Sequence, residues 1–182
     1  MPPGVWRLET GYATLLALTR WSSAQRRYLV LEQGLGSIFV NLGLNAAVAW
    51  ALFRGMSSVP LWGSQSILGD TVATCMLLPL MTAIIVSALT HRAVRMGRLE
   101  PLPSARLPFA GRPVARGVAL GALCVALVAP LAIGGFVAAQ TAQLSFGSFV
   151  AFKAGFAALL GLPVTPLVAW AALTDASHSS KG

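Results

Sequence analysis

The fold is decided by the stretch Leu35–Phe53, which reads LGSIFVNLGLNAAVAWALF. It contains no charged residue, and its apolar residues run continuously instead of alternating with polar ones. A helix needs about 20 predominantly apolar residues to cross the hydrocarbon core of a bilayer. Only helices and closed barrels satisfy every backbone hydrogen bond in lipid, and a continuous apolar run favours the helix. The stretch therefore predicts a transmembrane helix.

Three further apolar stretches follow, and the only charged residues within them are Asp70 and Lys153. The chain is 56% hydrophobic and 10% charged, whereas soluble domains carry about a quarter charged residues. A chain of 182 residues cannot hide that much apolar surface in one water-soluble core. We therefore predict an all-α integral membrane protein, a single four-helix membrane domain over 1–182, with transmembrane helices at 35–53, 67–90, 117–139 and 149–173.

The segment 1–34 has a different pattern. Apolar residues recur at helical spacing among polar ones, beginning with Val5, Leu8 and Tyr12. This is an amphipathic pattern, and Trp6 and Trp21 suit the headgroup region. We expect an interfacial N-terminal helix that ends near Arg20 and lies on the membrane before the first span.

The basic residues predict the orientation. They concentrate before the first span, in the proline-rich loop 91–116 and in the tail 174–182, while the other two loops carry only Arg54. With four spans, all the basic segments fall on one side, which the positive-inside rule places in the cytoplasm together with both termini. The loop 91–116 is expected to rest on anionic lipid headgroups. The same distribution argues against nucleic acid as the partner of this chain of net charge +8, and the arginine-, alanine- and glycine-rich composition favours a bacterial inner membrane.

The second and fourth spans resemble each other. When the chain is aligned with itself so that Gly63 falls on Gly147, identical residues also meet at Ser64/Ser148, Ala73/Ala157, Leu78/Leu162, Pro79/Pro163 and Ala88–Thr90/Ala172–Thr174. The first and third spans share no identities in this alignment. The pattern fits two parallel hairpin repeats, and it equally fits two apolar helices that share a composition and a proline.

Five polar residues of the predicted spans are candidates for a transport pathway: Asn41, Asn45, Asp70, Thr74 and Lys153. Asn41 and Asn45 share one helix face because they lie four residues apart. They could also hold helices together. A charged residue inside a bilayer is energetically costly, so it is by default a candidate for a functional role. If the second and fourth spans are neighbours, Asp70 and Lys153 lie at similar depth and can form an ion pair.

Prolines and glycines predict the shape of the helices. Pro79, Pro130, Pro163 and Pro166 each remove a backbone hydrogen bond and are candidate kinks. Gly117 and Gly121 form a GxxxG motif, which lets helices approach closely, within the chain or between copies.

The sequence contains few residues that could support catalysis. It contains no recognised nucleophile, nucleotide or metalloprotease motif, and Cys75 and Cys124 are read as small buried hydrophobic residues. We therefore expect no enzyme activity, no metal and no cofactor. A lipid-modifying enzyme would have only His91 and the arginine-rich loop to support it.

Two functional hypotheses are left. The first is a homo-oligomeric transporter or channel for a small solute or ion, because the spans contain prolines, amides and a potential ion pair. The second is a non-catalytic accessory or assembly subunit of a larger membrane complex, because no charge lies deep in the bilayer and small-residue faces suit helix packing.

Overall fold

A computed structural model describes residues 22–102 and 109–179, with side chains up to Ser177. It is 79% helical and contains four helices that are long and apolar enough to cross a membrane. They are α1 (Ser23–Phe53), α2 (Ile67–Arg95), α3 (Pro113–Ala138) and α4 (Phe146–Ser179). The prediction of an all-α chain with four such helices is confirmed. The predicted interfacial helix falls on residues before 22, outside the described part.

Helix α1 begins well before the predicted span. Ser22 and Gln25 form a capping box, in which each side chain accepts a hydrogen bond from the other's backbone N–H. The helix runs through Ser23–Arg27, widens to a π-helix over Tyr28–Leu35 and continues as an α-helix over Gly36–Phe53. The sequence prediction started this span at Leu35 because polar residues precede it, but the capped backbone helix continues through them.

Two short strands join the loops at one end of the molecule. Strands β1 (Ser58–Pro60) and β2 (Gln143–Ser145) pair antiparallel, with Val59 opposite Leu144. The pairing holds the α1–α2 loop against the α3–α4 loop, so α2 and α4 begin at the same end. We call this the strand end, and we call the opposite end, where Arg26, Arg27, Arg92, Arg95, Arg98 and Arg112 lie, the basic end.

The helices pack in the order α1, α4, α2, α3. Helix α4 is the most buried of the four, and it contacts both α1 and α2, while α3 packs against α2. If the chain consists of two repeated hairpins, α1–α2 and α3–α4, then α1 corresponds to α3 and α2 corresponds to α4. The α1–α4 contact then corresponds to the α3–α2 contact, and the α2–α4 contact corresponds to itself. The packing therefore has the symmetry that two parallel hairpin repeats would produce.

Glycines mark the closest helix contacts. A Cβ atom at Gly117 would lie 2.8 Å from the Cα atom of Leu80, and one at Gly121 would lie 2.7 Å from the sulfur of Met76. The GxxxG motif thus packs α3 against α2 within the chain. Gly161 of α4 has the same role toward α1, because a Cβ atom there would clash with the Asn41 side chain.

Helix α4 continues past the predicted end of the fourth span at Leu173. The buried side chains of Arg116 and Asp175 form an ion pair at 2.7 Å that joins the start of α3 to the end of α4. The backbone N–H of Leu102 also donates to the Leu173 carbonyl at 3.1 Å. These contacts order a segment that the sequence prediction treated as a tail, while Lys181 lies outside the described residues.

The four candidate kink prolines lie inside continuous helices. Pro79 belongs to α2, Pro130 to α3, and Pro163 and Pro166 to α4. The main core surrounds the α2–α4 contact, where Cys75, Leu78, Ala157 and Val168 are buried together.

Candidate functional site in the cleft between α1 and α2

A cleft of about 530 Å³ lies between α1 and α2. Its two walls are these helices, and α4 contributes Lys153 and Thr165 to the lining. The cleft exists because α1 and α2 each pack against α4 and make little contact with each other. All five sequence candidates for a transport pathway line this one cleft.

The α1 wall carries a polar residue at every fourth position, namely Gln33, Ser37, Asn41 and Asn45. The Asn45 side-chain amide donates to the backbone carbonyl of Asn41 at 3.0 Å, and the Asn45 side-chain oxygen accepts no hydrogen bond from the described residues. The Ser37 hydroxyl lies 2.8 Å from the Gly34 carbonyl and 3.4 Å from that of Gly161. Only the two asparagines were predicted from the sequence, although the same four-residue spacing extends toward the N-terminus to Ser37 and Gln33.

The α2 wall is more apolar. Its polar members are Asp70, Thr74 and Thr82, and the others include Leu77, Met81, Ile85 and Leu89. A mostly apolar cleft with a few converging polar groups is typical of small-molecule sites between helices.

An ion pair between Asp70 and Lys153 lies at the strand end of the cleft. The two side chains are 8% and 5% exposed, so water hardly reaches the pair. Helix α2 places Asp70 in its first turn, after the Ser66 cap whose hydroxyl accepts from the Gly69 N–H. The expected pairing of these residues depended on α2 and α4 being neighbours, and the structure shows that they are.

Thr165 adds a polar group from α4 that the sequence analysis did not single out. Its hydroxyl is buried and has no hydrogen-bond partner among the described residues. Thr165 lies between Pro163 and Pro166, and these two prolines are the only feature of the sequence that indicated this part of α4. A buried, unpaired hydroxyl beside a cleft is available to a ligand or to water.

Glu32 lies at the other extreme of the cleft from the ion pair. It is exposed, belongs to the π-helical part of α1 and also lines a second depression at the basic end. π-Helical turns are frequent at functional sites. Glu32 was not among the residues predicted from the sequence, because the predicted first span begins after it, at Leu35.

The remaining candidates lie elsewhere. Pro130, Gly117 and Gly121 are on α3, which does not line the cleft, and neither does His91. The His91 Nε2 atom is buried and lacks a hydrogen-bond partner within the described ranges. Cys75 and Cys124 are buried free thiols. Over residues 22–102 and 109–179, no group of three or more His, Cys, Asp and Glu residues could hold a metal ion.

The cleft thus has a buried ion pair at one end, amides and hydroxyls along its length, and at the other end the carboxylate of Glu32, which forms no ion pair with any of the described residues.

Comparison of the chain with protein-family models, curated proteins and solved structures finds no match.

Proposed function

We propose that this chain is a multi-pass protein of the bacterial inner membrane, with both termini in the cytoplasm, and that it transports or conducts a small solute or ion. The observation that carries the proposal is the convergence of polar groups from α1, α2 and α4 on one cleft. Polar side chains within a membrane are costly, and they usually face a bundle interior or a water-filled cavity.

The polar groups of the cleft exceed what helix packing requires. Packing of α1 against α4 uses the small residue Gly161 and the Ser37 hydroxyl. The Asn45 oxygen and the Thr165 hydroxyl make no such contact in the described residues. These atoms can take the place of water around a solute that moves along the cleft. Oxygen acceptors without a deep carboxylate suit a uniporter or channel better than a proton antiporter.

The two ends of the cleft suggest a direction of access. The buried ion pair closes the strand end, whereas Glu32 is exposed at the basic end. In the proposed orientation the cleft is open toward the cytoplasm. Because it is also open sideways between α1 and α2, a second copy of the chain would complete its wall, and closed two-fold dimers are the commonest homo-oligomers.

The test is side-specific cysteine labelling in membranes. Cys75 and Cys124 are replaced by alanine, and single cysteines are introduced by Asn45→Cys and Thr74→Cys. If the cleft holds water, a small membrane-impermeant thiol reagent labels both positions from the cytoplasmic side. Matched controls are Phe39→Cys and Leu131→Cys, whose native side chains are 78% and 77% exposed on the outside of the helices. If these two control positions face lipid, their thiols do not ionise to the thiolate that the reagent needs, so they are not labelled.

Equal labelling at the cleft and control positions would contradict a specific aqueous pathway. Labelling of neither pair would mean that the cleft is dry, and the transport proposal would fail. A positive result justifies flux measurements in vesicles with small neutral, cationic and anionic solutes, in which Asp70→Asn is expected to impair transport.

The sideways opening also favours the second candidate function, an accessory subunit. A transmembrane helix of another protein could fill the cleft between α1 and α2, since helix-in-groove binding needs an apolar groove of this kind. Extraction in a mild detergent followed by mass measurement of the intact particle separates the two candidates. Other subunits in fixed ratio would support the accessory function, and a particle of this chain alone would support the transporter.

A further inference from the structure

A second depression, of about 570 Å³, lies at the basic end beside the cleft. Its polar lining residues are Ser23, Arg27, Tyr28, Glu32 and Arg98. Of these, only Glu32 also lines the cleft. The depression therefore combines two guanidinium groups with one carboxylate.

The walls of the depression are held in place by hydrogen bonds. The buried Tyr28 hydroxyl and the Thr90 hydroxyl are 2.9 Å apart, which ties α1 to α2. The Gln25 amide donates to the Glu100 carbonyl at 3.0 Å, which ties the first turn of α1 to the segment after α2. The site is thus formed before any ligand arrives, and a preformed site loses less free energy on binding.

The charged groups of the depression are available to a ligand. Arg27, Arg98 and Glu32 are exposed, and among the described residues none of them takes part in an ion pair. Guanidinium groups bind phosphate through paired N–H donors. A carboxylate only accepts hydrogen bonds, so it needs a donor such as an ammonium group.

The length of α1 places this depression at the depth of lipid headgroups. With 31 residues at about 1.5 Å per residue, α1 is about 46 Å long, against a hydrocarbon core of about 30 Å. If Phe53 lies at the far boundary of the core, the core ends near Gln33. Arg27 then lies in the headgroup layer, and Glu32 lies at its inner edge.

We propose that this depression binds the headgroup of a phospholipid with a phosphodiester and an ammonium group, such as phosphatidylethanolamine. The phosphate lies against Arg27 and Arg98, and the ammonium group lies against Glu32. The inference requires insertion of α1 in a membrane but does not require that a solute be transported. Basic pockets between membrane helices are a recurrent way to bind lipid headgroups.

The test is native mass spectrometry of the full chain in detergent with equal amounts of phosphatidylethanolamine and phosphatidylglycerol. The wild type is expected to retain more phosphatidylethanolamine. The Arg27→Gln/Arg98→Gln variant should bind both lipids at least about tenfold more weakly, since two charge-assisted contacts are lost. Glu32→Gln should remove the preference between the lipids while binding persists. The control Arg95→Gln changes an exposed arginine of the same end outside the depression, and it should bind as the wild type does.

Wild-type binding by the double variant, or an unchanged preference in Glu32→Gln, would overturn the proposal. If the double variant does not fold, Arg98→Gln alone gives the same comparison with a smaller expected loss. A competition with soluble glycerophosphoethanolamine separates a lipid from a free phosphoester. The lipid proposal expects no displacement at equal concentration, and displacement there would overturn it.

Discussion

At the residue scale, the ion pair between Asp70 and Lys153 joins α2 to α4 at the strand end. A buried pair contributes little net stability compared with apolar residues of similar volume, but removal of one partner leaves an uncompensated buried charge. Arg116 and Asp175 form a second buried pair at the basic end. Helix α4 thus carries one partner of an ion pair near each of its ends.

The Asp70–Lys153 pair predicts an asymmetry between single and double variants. Asp70→Asn or Lys153→Met alone should lower the free energy of unfolding by about 3–5 kcal/mol, because the partner charge is left buried. The charge exchange Asp70→Lys/Lys153→Asp should recover much of this loss. Denaturant unfolding in detergent micelles measures the difference. If single variants are as stable as the wild type, the pair is not buried in the folded protein in micelles.

At the element scale, helix contacts depend on where glycine lets two backbones approach. Gly121 faces Met76 so closely that a Cβ atom would lie 2.9 Å from the Met76 carbonyl oxygen, a backbone atom that cannot move aside freely. Gly134 and Gly135 lie on the same helix, and nothing lies within 4 Å of a Cβ atom at either position.

The glycines of α3 therefore predict opposite effects of the same substitution. Gly121→Ala should destabilise the protein by about 1–3 kcal/mol, since it forces α3 away from α2. Gly134→Ala should be neutral or stabilise by up to about 1 kcal/mol, because alanine favours the helix. Thermal unfolding of both variants in one detergent checks this. An equal response would mean that α2 and α3 are not in close contact.

At the scale of the whole molecule, the strand pair and the helix order fix which loops share a side. The strands hold the loops 54–66 and 139–145 together, so the described parts of the connection between α2 and α3, residues 96–102 and 109–112, lie at the opposite end. The same arrangement supports the hypothesis of two parallel hairpin repeats, because each half presents its first helix to the second helix of the other half.

This arrangement predicts the sidedness of labelling in the cell. In a background without native cysteines, Ser64→Cys and Gln140→Cys should react with an impermeant reagent added to intact cells. Gly97→Cys should react only after the membrane is opened, since the positive-inside rule places the basic end in the cytoplasm. Reaction of Gly97→Cys in intact cells would reverse the proposed orientation, and reaction of only one loop variant would contradict the shared side.

The sequence by itself determined the class of the molecule: four apolar helices, the distribution of charge between two ends, and the polar residues that interrupt the apolar runs. These are local properties, since the length and composition of a run decide whether it can form an apolar helix. The candidates Asn41, Asn45, Asp70, Thr74 and Lys153 were found in this way. The same four-residue spacing in the sequence extends from Asn41 to Ser37 and Gln33.

Only the tertiary structure decided which of these residues meet. A sequence cannot say that α1 packs on α4 instead of α2, because apolar helices offer many similar faces to one another. That choice depends on contacts distant in the chain, such as Gly161 beneath Asn41 and the β1–β2 pair between two loops. The packing of α1 and α2 on α4 opens the cleft, joins Asp70 to Lys153, and brings Thr165 and Glu32 to the same site. The location of the cleft is therefore a property of packing, and its chemistry is a property of the sequence.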